Sequence, residues 1–281
     1  MQDLHCHLEN GPLNMQWLRY YIDQAKEIGL TELGISEHSH HFIEMKPLYY
    51  NRLDLSESTI LGQRQRKMLK GYFKSSLSLY YDLLARARVS STLLKLGLEL
   101  DWSPCEPELI HELVEPWPVD YIIGSVHWLD GWCYDIWPDT WKGRNVQVVW
   151  EKYIDLCIEA VASGTFDILG HVDAIKIFGH YPARYPEEKW VQLAKTLAST
   201  GVTAEINPKL HYRGHTQHFC PDPQLLKIFY AHGVEICFGS DAHFPEDVGL
   251  MLGDAVDYAK AAGYTHYNSF TKRKKQALPL P

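Results

Sequence analysis

Short apolar runs alternate with amphipathic stretches along this chain, and that alternation constrains the fold more than any other feature of the sequence. The runs at 33–36, 93–98, 120–123, 166–169, 202–206 and 234–238 have the length and composition of strands. Between them, 77–88, 146–162, 187–199 and 223–231 read as helices. An earlier helix is expected with Asn14 as its cap, Trp17, Leu18, Tyr21, Ile22, Ala25 and Ile28 on its apolar face, and Gly29 ending it. Such alternation implies an α/β fold with a mostly parallel sheet, either a closed barrel or a doubly wound open sheet. The length of 281 residues suits one barrel, and an apolar fraction of 46% supplies a large core, so 1–281 is read as a single domain. The long polar segment around 40–74 is expected to be an excursion or lid that holds substrate.

The residues able to do chemistry fall at the last positions of the expected strands, where barrel enzymes carry their active sites. His5 and His7 are two apart, and the strand period of two points both to one face. Glu37-His38 ends the next strand and Glu99 the third. His127, His171 and the run Asp241-Ala242-His243 follow later ones. Carboxylates gathered this closely repel one another, and buried charge is costly unless paired or bound to a cation. A cluster of two or three divalent ions relieves that cost. Mixed imidazole and carboxylate donors suit Zn, Mn or Fe, whereas Mg alone favours oxygen. Next to His38, His40 and His41 point to opposite faces if the strand continues, so at most one would join the site. Glu37 could orient a ligand, and the aromatic run 131–137 reads as lid packing. His111, His232 and His266 read as surface imidazoles.

The formal charge of −8 argues against a general nucleic-acid binder. Cys6, Cys105, Cys133, Cys157, Cys220 and Cys237 are scattered, as reduced thiols would be. No apolar run approaches the roughly 20 residues that span a bilayer, and no signal peptide is apparent. A cytoplasmic protein without nucleic-acid or membrane partners is expected, and its oligomeric state is left open.

HCH at 5–7, SEH at 36–38, Gly-Leu-Glu at 97–99, GSVHWLDGW at 124–132, GHVD at 170–173, EIN at 205–207 and GSDAH at 239–243 occur in the order of the polymerase-and-histidinol-phosphatase (PHP) family. From Asp3 to about Gly249 the chain resembles that family. GSVHWLDGW, IKIFGHYP at 175–182 and EINPKLHYRG at 205–214 resemble its histidinol-phosphate phosphatase branch. The resemblance implies a distorted seven-stranded β/α barrel, similar to a TIM barrel, with a trinuclear centre. It implies that His5, His7, Glu99 and Asp241 hold one ion, that Glu99 bridges to a second held with His127 and His171, and that His38 and His243 hold a third. The further histidine that the family supplies after HxH is missing, Leu13 standing near its place, and Glu9 is the expected substitute.

The activity implied is hydrolysis of L-histidinol phosphate, a metal-bound hydroxide attacking phosphorus in line. Arg213, with a planar fork suited to two phosphate oxygens, is the expected clamp. His215 is the expected proton donor to the leaving alkoxide, and Lys176 is a second candidate for phosphate. Another small phosphate ester or a nucleotide as substrate, an amidohydrolase-like reaction and a non-catalytic metal-bound module are the alternatives.

Overall fold

The computed structural model describes residues 1–103 and 107–281, so Cys105 lies outside the described residues. Parallel strands β1 (Gln2–Asp3), β2 (Glu32–Ile35) and β3 (Leu94–Leu96) form one sheet in that order. The second sheet runs β4 (Glu99–Asp101), β5 (Ile123–Ser125), β6 (Ile168–Leu169), β7 (Thr203–Ile206) and β8 (Ile236–Phe238), again parallel. The two sheets adjoin at both margins. His38, beyond β2, bridges to Glu99, and Cys6, beyond β1, bridges to Ala242, while Leu4 N donates to the Phe238 carbonyl at 3.0 Å.

Helices join the strands: α1 (Met15–Glu27), α2 (Leu77–Arg88), α3 (Val146–Ala162), α4 (Glu187–Thr200), α5 (Pro223–Ala231) and α6 (Leu252–Ala262). Asn14 caps α1, its side chain accepting from Trp17 N at 2.9 Å. Leu18, Tyr21, Ile22 and Ala25 are buried, whereas Ile28 lies past the last turn and is 41% exposed. The expected helices 77–88, 146–162 and 223–231 stand at those bounds. Pairing at the run 120–123 starts at Ile123 instead of at 120, where Asp120 turns its carboxylate to Leu96 N at 3.0 Å.

Tyr121 fills the space between the strands. It is fully buried and donates to the Leu4 carbonyl at 2.5 Å. A Cβ at Gly34 would lie 1.9 Å from its hydroxyl, and one at Gly97 2.4 Å from its ring, so both neighbouring strands need glycine there.

The segment around 40–74 is less polar in structure than in sequence. It folds into helical turns, including Lys46–Tyr50 and Ile60–Leu69, that bury Phe42, Met45, Leu48, Tyr49 and Leu69. The aromatic run 131–137 packs as expected: Trp132 is buried edge-on to Trp141 and lies under Arg144.

The chain ends in an antiparallel hairpin of β9 (His266–Thr271) and β10 (Lys274–Pro279). The hairpin crosses the starts of the parallel strands: Gln2 donates to the Asn268 carbonyl, Asn268 to Thr203, Ser269 to Glu32 and Lys95 to the Phe270 carbonyl. That leaves the opposite end, where the strands finish, for the polar cluster. No helix among the described residues is long and apolar enough to cross a membrane.

Candidate metal centre

Each parallel strand delivers its last side chains into one space, and two of the turns that do so are strained. His171 has φ 24° and Asp241 φ 57°, conformations that cost a non-glycine residue about 1–3 kcal/mol. Neighbouring groups hold both in place. His171 N donates to Glu205 Oε2 at 2.7 Å. Buried Asp3 accepts from Ser240 N at 2.9 Å, from Ser240 Oγ at 2.5 Å and from Gly249 N at 2.8 Å, fixing the turn that carries Asp241.

Glu99 lies at the middle of the cluster, with its two oxygens facing different histidines. Oε2 is 3.3 Å from His5 Nε2, 3.6 Å from His7 Nε2 and 3.0 Å from His38 Nε2. Oε1 is 3.0 Å from His171 Nε2 and 3.9 Å from His127 Nε2. Asp241 Oδ1 closes the first group, 3.3 Å from His7 Nε2 and 3.9 Å from His5 Nε2. An ion about 2.0–2.2 Å from each ligand sets neighbouring donors about 3.3–3.6 Å apart in a tetrahedron, so these four donors fit one ion. His5 Nε2, His7 Nε2 and Glu99 Oε2 are buried and have no hydrogen-bond partner among the described residues. A cation would satisfy all three.

Carboxylates stand behind the histidines. His5 Nδ1 is 2.7 Å from Glu205 Oε1 and His127 Nδ1 is 2.7 Å from Asp101 Oδ1. This is how metal-bound histidines are oriented. Burial lowers the proton affinity of His7, with help from His38, and takes its pKa to about 3. Burial also opposes protonation of His127, yet Asp101 outweighs it and raises the pKa to about 9. For His5 and His38 burial is likewise overcome, by Glu205 and Asp241 at His5 and by Glu9 and Glu99 at His38, and both rise well above the usual value. Glu99 and Asp241 fall well below theirs despite burial, because His38 and His5 flank Glu99 and Lys209 and His5 flank Asp241. The site therefore binds positive charge, and protons and a divalent ion compete for the same positions.

Glu9 lies at the outer edge, with Oε2 3.4 Å from His38 Nδ1 and Oε1 3.4 Å from His243 Nε2. The centre opens into a cavity of about 460 Å³. Both His40 and His41 line it, which corrects the expectation that at most one could. After His38 the chain winds into a helical turn, Ser39–His41, and the alternation of a strand no longer applies.

Three expected substrate residues are not brought to the cavity. Lys176 is 2% exposed, its ammonium held by Asp173 Oδ2 at 2.8 Å and by the Phe219 carbonyl at 2.7 Å. Arg213 pairs with Asp247, and His215 is exposed. The physical reason is the helical turn Lys209–Tyr212, which carries 213–215 outward and puts Lys209 inside. Lys209 Nζ lies 2.8 Å from Asp241 Oδ1 and 3.3 Å from His243 Nδ1. Sequence reasoning missed Lys209, Asp101 and Glu205 as individual site residues. Asp101 is two positions after Glu99 on the same strand, a spacing that could have flagged it.

The profile of the PHP domain matches residues 3–209. The chain is 31% identical over 173 residues to a Deinococcus radiodurans protein named "Probable histidinol-phosphatase", a match spanning 60% of this chain and 65% of that one, just under two thirds of the relative's length. It is 22% identical over 279 residues to the protein named histidinol-phosphatase from Lactococcus lactis subsp. lactis, spanning 97% of this chain and 95% of that one. The fold is similar to a crystal structure of histidinol phosphate phosphatase from Lactococcus lactis subsp. lactis complexed with zinc, L-histidinol and phosphate, with a TM-score of 0.74, 20% identity and 98% of each chain covered. With the family profile matched from Asp3 to Lys209, and with its motifs meeting at one end of the parallel strands, the chain belongs to the PHP family.

Proposed function

We propose that this protein is a metal-dependent phosphomonoesterase that hydrolyses L-histidinol phosphate to L-histidinol and phosphate. The carrying observation is Glu99, one carboxylate whose two oxygens face separate histidine groups, as two ions sharing a bridging ligand require. The choice of substrate is supported by the names of the relatives. In this reading His5, His7, Glu99 and Asp241 hold the first ion, Glu99, His127 and His171 the second, and His38, His243 and Glu9 a third. Zn, Mn or Fe suits these donors.

Ions held there polarise phosphate oxygens and lower the pKa of water. The chain's own groups do the rest. Asp101 and Glu205 fix the tautomers of His127 and His5. Lys209 and Lys74 line the cavity and meet the negative charge of a phosphate group. A cavity of about 460 Å³ has room for a molecule of histidinol phosphate's class. The fold is read as a single distorted seven-stranded barrel over 1–281, β3 and β4 counting as one strand interrupted at Gly97-Leu98 and the bridges Cys6 to Ala242 and His38 to Glu99 supporting closure. The segment 40–74 is its lid. Cys6, Cys133, Cys157, Cys220 and Cys237 are buried free thiols, which suits a cytoplasmic setting.

The test is phosphate release from L-histidinol phosphate and from a panel of other phosphomonoesters and a nucleotide diester, using metal-stripped protein reloaded with Zn, Mn or Fe. The expected outcome is metal-dependent release with the highest kcat/KM on L-histidinol phosphate. No release from any monoester while ions are bound would overturn it.

A further inference from the structure

His40 has no part in the ligand sets above, yet its ring faces the outer edge of the centre. His40 Nε2 lies 3.3 Å from Glu9 Oε2, and the same oxygen lies 3.4 Å from His38 Nδ1. These separations match the spacing of about 3.3–3.6 Å expected for neighbouring donors on one four-coordinate ion. His38 Nδ1 is buried and has no hydrogen-bond partner among the described residues. The other nitrogen of the same ring, Nε2, is 3.0 Å from Glu99 Oε2. His38 therefore faces Glu9 with one nitrogen and Glu99 with the other, so its ring stands between the two carboxylates. His243 Nε2, 3.4 Å from Glu9 Oε1, stands across from the group.

His40 is also fastened to the far end of the segment 40–74. Its ring stacks on Tyr72 with centroids 4.0 Å apart and planes 20° apart, and Phe73 N donates to its carbonyl at 2.9 Å. Ser75 N donates to the His41 carbonyl at 3.1 Å. Both ends of the segment thus meet at His40 and His41, with Tyr72 stacked on the His40 ring.

We propose that His40 joins Glu9, His38 Nδ1 and His243 on the outer divalent ion in this chain, and that the ion thereby clamps the lid segment 40–74. The inference rests on the metal-centre reading and adds to it a ligand, His40, and a lid that closes on the ion. The imidazole-rich donor set selects Zn, Mn or Fe over Mg.

The test compares full-length wild type, His40→Ala and Glu9→Gln after equilibration with Zn, reading bound metal per chain by elemental analysis and tryptic cleavage at Arg64, Arg66, Lys67 and Lys70. Each variant is expected to hold one ion fewer than wild type and to be cut at these sites as fast as metal-stripped wild type. Glu9→Gln keeps the side-chain shape and carries the test if His40→Ala loses its far-UV circular dichroism. Equal metal content and equal cleavage in wild type and a folded variant would overturn the proposal. Phosphate release is measured separately: failure to hydrolyse any monoester with all ions bound would sink the phosphatase reading and leave this one standing.

Discussion

The two ends of the parallel strands are built from similar residues and solve opposite problems. Where the strands start, three buried or half-buried carboxylates each have a cation. Glu32 takes Lys95 at 3.0 Å, Asp120 takes Arg88 at 3.1 Å, and Asp167 takes Arg273 at 2.8 Å. The terminal hairpin lies across them and closes that end. Where the strands finish, Glu9, Glu37, Glu99, Asp101, Glu205 and Asp241 meet a ring of histidines, with Lys209, Arg52 and Lys74 among the nearby basic side chains. Histidine nitrogens and an oxygen of Glu99 have no hydrogen-bond partner among the described residues. One end is complete in itself, and the other is complete only with metal ions.

Glu99→Gln should break this contrast most severely. It removes the shared ligand, and kcat should fall on the order of 10³-fold, about 4 kcal/mol of transition-state stabilisation, with secondary structure intact by circular dichroism. Asp101→Asn keeps every direct ligand but unties His127, so metal affinity should fall about 10- to 100-fold in a competition titration with a chelating dye. Proton linkage sharpens the comparison further. In the metal-stripped protein Asp101 holds His127 protonated up to a pH of about 9, so an ion must displace that proton at neutral pH. Metal affinity should therefore rise with pH through the neutral range up to about 9, where His127 gives up its proton. Calorimetry in two buffers of different ionisation enthalpy should register the released proton.

At the other end, Asn268→Ala strips the buried Thr203 hydroxyl of its side-chain partner, and it should cost about 1–3 kcal/mol of stability in urea with kcat unchanged. Arg273→Ala removes a partly exposed ion pair and should cost at most about 1 kcal/mol. A loss of activity in either variant with metal content preserved would erase the distinction between the ends.

The strand ends were legible because two periodicities act together. A strand shows its inward face every second residue, which flagged His5 with His7. A parallel sheet puts all its strand ends on one side, which gathered Glu99, His127, His171 and Asp241. Legibility failed where the chain leaves regular structure. The turn Ser39–His41 reorients His40 and His41, and the turn Lys209–Tyr212 exchanges Arg213 for Lys209 at the cavity. Neither turn is long enough to show a helical period in sequence. Lys176 looked available because lysine is ordinarily exposed; its burial depends on Asp173 and on a carbonyl 43 residues away, which no local pattern reports. The terminal hairpin escaped notice for a related reason. Its turn places Lys272 and Arg273 at positive φ, where Asn-Gly would have signalled it.

The claim that the strand finish is a metal centre and the strand start is not is tested most directly by counting ions. Protein dialysed against Zn or Mn and then freed of unbound metal should carry two or three ions per chain, and Glu99→Gln should carry fewer. A folded wild-type chain that retains no ion, or a Glu99→Gln chain that retains the full complement, would contradict the account.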